Sequence, residues 1–268
     1  MKKVIFLALL MPASAFCQTV YDFEHNDITE WTQSTPGHWA SEAAGAISGN
    51  FSLHHIYDNP ANGNDCVGVK TNNLHPEEGT VKWVFKIRYG YDPSSSNNWS
   101  VMLMSDTDPA SLAAGEPFNG FAIGVNQLGY DDTLRLWKYS DGIPKIIVTV
   151  PVNWQNDIGI NKTVVFNITR LISGHWEIIG SNKDDNELFN ASGYENDLWN
   201  PAWFILNYKY TSTRDRLLWF DDLKIAGVFY NDIEPPVIKS LKVTGRKSLK
   251  LSLNEEPSTD FILTENFI

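Results

Sequence analysis

The sequence predicts an all-β protein, a β-sandwich of jelly-roll type followed by the start of a second β domain. Three observations carry this. Aromatic residues are plentiful, with 10 Trp, 10 Tyr and 14 Phe in 268 residues. Short apolar segments alternate with clusters of Gly, Asn, Asp, Ser and Pro, the punctuation of strands and turns. No stretch sustains the 3.6-residue apolar period of an amphipathic helix.

The chain opens with MKKVIFLALLMPASAFCQ, which has the parts of a secretory signal peptide. Lys2 and Lys3 form the positive region, Val4 to Leu10 the apolar region, and Pro12 to Ala15 a small-residue tail. Cleavage before Gln18 places Ala15 and Cys17 at the two positions that require small side chains. The expectation is a signal at 1–17 and a protein that is secreted or displayed at the outer cell surface. A lipoprotein acylated at Cys17 is the alternative, against which Phe16 stands as a poor neighbour. The apolar run is too short to span a bilayer, and no other segment approaches that length.

Loss of Lys2 and Lys3 would take the formal charge from −11 to −13. Such acidity argues against nucleic acid and anionic membranes as partners. Cys66 would then be the only cysteine, read as a buried, inert thiol.

VKWVFKIRY (81–89) gives the clearest strand pattern. Val81, Trp83, Phe85, Ile87 and Tyr89 fall on one face and Lys82, Lys86 and Arg88 on the other. Further strands are predicted at 99–105, 121–126, 133–139, 145–150, 163–170, 175–181, 203–210 and 217–227, with at most one helical turn in DPASLAAGEP (108–117). Several are apolar on both faces, as where one face of a sheet meets a core and the other lines a groove. YNDIEPP (230–236) cannot continue a central strand and reads as a linker. The predicted organisation is therefore a signal at 1–17, a sandwich at 18–229, a linker at 230–236 and a second β unit at 237–268. At about 32 residues, that last unit is too short to close a core alone.

Two stretches resemble a known family. YDFEHNDITEWTQ (21–33) is similar to the first strand and the loop after it in concanavalin-A-like or carbohydrate-binding-like jelly rolls of bacterial secreted surface proteins. NYKYTSTRDRLLWFDDLKIAG (207–227) is similar to their closing strands. The alternating strands at 237–245 and 248–255 resemble the opening of an Ig-like domain, here cut short; Ig-like and lamin-tail domains often follow such modules. The resemblance implies a structural calcium between Glu24 and Asp222, a pair that could supply part of the six to eight oxygens this ion takes.

In TLRLWKYS, alternation places Arg135, Trp137 and Tyr139 on one face and Leu134 and Leu136 on the other; Tyr208 and Tyr210 share a face of their own strand. Flat aromatics beside polar groups suit the apolar C–H faces and hydroxyls of sugars, so these five are the predicted ligand-binding residues. Hydrolysis has weaker support. The one near match to a Glu-x-Asp-x-x-Glu glucanase motif is Glu195, Asp197 and, in place of the second glutamate, Asn200, which cannot act as a general acid. His54 and His55 point to opposite faces, and the other histidines are scattered, which argues against a zinc site. The adjacent Asp221 and Asp222 likewise fall on opposite faces unless a bulge intervenes: Asp221 with Leu217, Trp219, Leu223 and Ile225, Asp222 with Leu218, Phe220 and Lys224.

The functional expectation is a non-catalytic module that binds an extracellular polysaccharide or other glycan. A structural spacer or adhesin domain without its own ligand is the alternative, and a glycoside hydrolase or lyase a weaker one.

Overall fold

The computed structural model describes residues 16–199, 201–230, 238–245 and 248–253. The predicted signal up to residue 15, Asn200, the linker from residue 231 with residue 237, residues 246–247 and the last fifteen residues lie outside these. The chain divides into two units, Met1–Tyr230 and Asn231–Ile268.

In the first unit, strands β1 (Phe16–Tyr21), β2 (Thr32–Gln33), β3 (Trp39–Glu42), β4 (Ser52–His55), β5 (Gly63–Lys70), β6 (Val81–Tyr89) and β7 (Asn98–Ser105) lead into a short helix, α1 (Pro109–Ala114). There follow β8 (Gly120–Val125), β9 (Thr133–Ser140), β10 (Ile143–Asn153), β11 (Lys162–Arg170), β12 (His175–Ser181), β13 (Glu187–Tyr194), β14 (Trp203–Tyr210) and β15 (Leu218–Val228). They form two antiparallel sheets. One has eight strands in the order β13-β12-β11-β6-β15-β4-β3, with β1 also on β15; the other has seven, β10-β9-β8-β7-β14-β5-β2. The predicted strands fall within one or two residues of these bounds, except that β10 runs three residues past the predicted end at 150. α1 is the predicted helical turn, started by Asp108, whose carboxylate accepts from the N–H groups of Ala110 and Ser111, and stopped by Gly115 at φ 82°.

The alternation in β6 is realised in full: Val81, Trp83, Phe85, Ile87 and Tyr89 are completely buried between the sheets. There Phe85 stacks on Phe166 and Phe220 at centroid distances of 5.0 and 5.3 Å, and Trp83 lies parallel to Trp176 at 5.8 Å. A second, smaller cluster lies on the other face of the seven-stranded sheet. It joins Met102, Ala122, Trp137, Tyr139 and Ile205 of the strands to Leu112 of α1 and Phe118 of the loop that follows. The sheet is thus buried on both faces along part of its width.

β15 departs from the simple alternation. It pairs with β6 along one edge, while its other edge pairs first with β4 at Trp219 and Phe220, then with β1 from Leu223 onward. At the changeover, its register with β6 jumps from Asp221 opposite Lys86 to Lys224 opposite Val84, so one extra residue is accommodated. Asp222 sits in that bulge at φ 49°. Leu218 and Phe220 therefore face the core before the bulge, and Leu223 and Ile225 after it. The bulge corrects the expected grouping of Asp221 with Leu223 and Ile225, and of Asp222 with Leu218 and Phe220. Asp221, opposite Lys86, stays on the outward face with Trp219, opposite Arg88, and the period is reset after it.

The second unit, in its described residues, is an antiparallel hairpin of β16 (Ile238–Gly245) and β17 (Ser248–Leu253).

Candidate binding cleft and polar clusters

The outer face of the seven-stranded sheet, beside the second cluster, holds a cleft of about 560 Å³. Alternation along the strands decides what lines it. Residues that turn away from the main core supply Asn64 from β5, Asn98 and Met102 from β7, and Asn207 and Lys209 from β14. Phe118, Tyr139 and Ile143 form an apolar wall, and Asn126 and Gln127 close one end.

The amides are held in place. Asn98 Nδ2 donates to the carbonyls of Ser94 and Asn126, and its Oδ1 accepts from Gln127 Nε2 at 3.1 Å. Asn64 Nδ2 donates to the Ala113 carbonyl, and Lys209 Nζ to the Ser95 carbonyl at 2.9 Å. An amide side chain can make four hydrogen bonds. These bonds leave Asn64 and Gln127 with further donors and acceptors to offer. Tyr139 stacks on Phe118 at 4.4 Å, and burial pushes its phenol up to about 12, so the hydroxyl stays neutral.

Of the predicted ligand-binding residues, Arg135, Trp137 and Tyr139 do share a face, but they do not make an open platform. Trp137 is 0 % exposed, covered by the second cluster, so its ring has no face for a ligand. Arg135 is turned to Asp131, to which Nη1 donates at 2.7 Å. Tyr139 alone of the three lines the cleft. Tyr208 and Tyr210 point the opposite way, into the space between the sheets. The Tyr208 hydroxyl donates to the Arg214 carbonyl and that of Tyr210 to Asp65. The lining that sequence reasoning missed is the set of asparagines, Asn64, Asn98, Asn126 and Asn207, of which the last two fall within predicted strands.

Glu24 and Asp222 do come near one another, close enough for the charge on Asp222 to oppose that on Glu24. The Glu24 carboxylate, however, accepts from the backbone N–H groups of Asn50 and Phe51 and from Asn50 Nδ2, contacts that hold its carboxyl below its ordinary value. Gly49 makes room for this: at φ 51°, a Cβ there would lie 2.0 Å from Glu24 Oε1. Asp222 pairs with Lys86, whose Nζ also donates to Ser48 Oγ at 2.9 Å. Calcium requires a shell of oxygens. N–H donors and an ammonium meet this pair instead, so the residues present do not fit the ion there.

Beside them, Asp221 is completely buried. Its Oδ2 accepts from Ser52 Oγ at 2.6 Å and its Oδ1 from the Asp222 N–H at 2.8 Å. Burial outweighs these two bonds and pushes its carboxyl up to about 7. Glu195 and Asp197 both pair with Lys138, and Glu195 with Lys145 as well. They are ion-pair partners rather than an acid and a nucleophile facing a groove. The Cys66 thiol is buried against Asn207 Oδ1, and burial pushes it well up, in keeping with an inert role.

The histidines are less scattered than their spacing suggests. His54 and His55 do face opposite ways: His54 stacks on Trp219, while His55 turns inward to Trp39 and Tyr210. His38, from the loop before β3, joins His55 at Asp65.

No family model and no curated protein matches the sequence. Solved structures do match. The exoplasmic/lumenal domain of VIP36, in its Ca2+/Man-bound form, is 8% identical, with a TM-score of 0.52 over 86% of this chain and 92% of that one. A legume lectin-like domain from Entamoeba histolytica is 12% identical over 74% and 90%, with a TM-score of 0.51. Peanut lectin is 10% identical over 80% and 99%, with a TM-score of 0.51. The fold is a lectin-like jelly roll. At these identities the likeness extends to the fold and to no residue of a site.

Proposed function

We propose that this chain is a non-catalytic carbohydrate-binding module that takes an extracellular glycan in the cleft on the outer face of its seven-stranded sheet. The observation that carries the reading is the pairing, in one cleft, of fixed amides with an apolar wall. Asn64, Asn98 and Gln127 can meet hydroxyls in set directions, and Phe118 and Tyr139 can meet a sugar's C–H face. The lectin-like fold agrees with it. So does the paired state of Glu195 and Asp197, which removes the one carboxylate couple that invited a hydrolytic reading. Export through the N-terminal segment, a surface location and an Ig-like continuation after residue 237 belong to the same proposal. The calcium of the VIP36 domain is not carried over to Glu24 and Asp222.

A glycan array probed with the full chain tests the reading. Retention of a glycan class is expected, with Gln127→Ala and Phe118→Ala each weakening it about tenfold or more while the fold persists. Trp137→Ala should act differently. It opens a cavity in the second cluster and costs about 3 kcal/mol of stability. Binding by the wild type that both cleft variants leave unchanged would move the site elsewhere. No binding on a broad array would favour the spacer reading.

A further inference from the structure

We infer that His38 Nδ1, His55 Nε2 and Asp65 Oδ2 form a binding site for a divalent transition metal of the zinc class, set where the two sheets meet. The inference stands apart from the glycan-binding reading.

Three elements bring the ligands together. His38 lies in the loop before β3, His55 is the last residue of β4 in the eight-stranded sheet, and Asp65 is in β5 of the seven-stranded sheet. The three ligand atoms lie within 4.8 Å of one another, and each imidazole nitrogen is 2.9 Å from Asp65 Oδ2. Ligand atoms on a tetrahedral zinc, with bonds near 2.0–2.1 Å, stand about 3.4 Å apart. Small side-chain adjustments would admit the ion. Two nitrogens and one carboxylate oxygen suit zinc, cobalt or nickel rather than calcium.

The hydrogen-bond inventory points the same way. His55 Nδ1 faces the carbonyl of Asp215, which can only accept, so Nδ1 carries the hydrogen. A ring with its hydrogen on Nδ1 alone turns the Nε2 lone pair toward a carboxylate oxygen. Two electron-rich atoms at 2.9 Å repel unless a cation lies between them, either a proton or a metal. A carbonyl that fixes one ring nitrogen and frees the other is the outer-shell arrangement of metal-ligating histidines. Asp65 Oδ2 is also oversubscribed, since His38, His55 and the Tyr210 hydroxyl all converge on that one atom.

The surroundings are built as well. His55 is fully buried and packed against Trp39 and Tyr210, and His38 is stacked flat on Tyr57 at 3.8 Å. Asn59 Nδ2 donates to the Tyr210 hydroxyl at 3.0 Å and steadies it. His38, with 14 % of its side chain exposed, is the point of access. Binding would displace a proton from any ligand nitrogen that carries one, and the His55 Nδ1–H bond to Asp215 would remain.

The test is metal binding to the untagged full chain after chelator treatment and dialysis. Co2+ should bind at one equivalent with the visible d–d absorption of a nitrogen- and oxygen-ligated ion, and Zn2+ should displace it. Saturating Zn2+ should raise the melting temperature by about 5 °C or more. Ca2+ should do neither. His38→Ala, on the accessible loop, should remain folded and lose about 100-fold or more in affinity. His75→Ala, which breaks up the exposed grouping of His75, Glu77 and Glu78, should leave binding unchanged. The absence of stoichiometric binding by folded protein would overturn the inference, as would binding that survives in His38→Ala. Either result would assign the cluster to a buried imidazolium–carboxylate pair.

Discussion

Asp65 and Asp221 are both buried aspartates, yet their surroundings drive them in opposite directions. Burial opposes the charge on each. At Asp65, with a proton rather than a metal between it and the imidazoles, hydrogen bonds from His55, Tyr210 and His38 outweigh that cost and bring the carboxyl down to about 2. At Asp221 the donors are Ser52 and one backbone N–H, Asp222 adds a like charge, and the carboxyl rises to about 7. Depth alone does not decide whether a carboxylate stays charged. The number and kind of donors that reach it do.

The largest effect that can break this comparison is Asp65→Ala. It leaves His55 and the Tyr210 hydroxyl facing an empty site and should cost about 3 kcal/mol or more, read as a lower urea midpoint with an unchanged slope. A loss below about 1 kcal/mol would mean that the cluster is solvated rather than built around the carboxylate.

Asp221→Asn should behave in the reverse sense. A carboxyl raised above its unfolded value favours the fold when protonated. That contribution is present below about pH 4 and is lost as pH rises through about 7. Above pH 7 the wild type bears the cost of a buried charge that asparagine does not have, while asparagine can keep the contacts to Ser52 and to the Asp222 N–H. The variant should match the wild type near pH 5 and exceed it by about 2–3 kcal/mol near pH 8.5. Melting curves at the two pH values check this, and a difference independent of pH would refute it.

Ser52→Ala is the smallest and sharpest change. It removes one of the two donors to Asp221, costs about 1 kcal/mol, and should move the midpoint of Asp221 upward in a carboxyl-carbon NMR titration. A midpoint that stays in place would show that the serine bond does not hold the carboxylate.

The same contrast explains how far the sequence could be read. The β6 pattern from Val81 to Tyr89 was fully legible, because the period-2 alternation is local and one face meets the core. The strand at 187–194 was not, because only Phe189 of its residues is buried and the apolar alternation is lost. Arg135, Trp137 and Tyr139 were correctly grouped on one face, but α1 and the following loop cover Trp137, which no pattern within the strand could reveal. The cleft asparagines were hidden because a polar residue on the outward face of a strand looks the same whether that face meets solvent or lines a cleft.

What the sequence by itself determined is the all-β class, most of the strands, the single helical turn at α1 and the opposed directions of His54 and His55. Each follows from neighbours a few positions apart. The tertiary structure alone decided which faces are covered, which histidines meet and where the period resets. Ser52 reaches Asp221 across 169 positions, and Asp215 meets His55 across 160. The bulge at Asp221 and Asp222 belongs to that second group. It arises where β15 exchanges β4 for β1 along one edge, and strand alternation carries no information about which neighbour stands beside it.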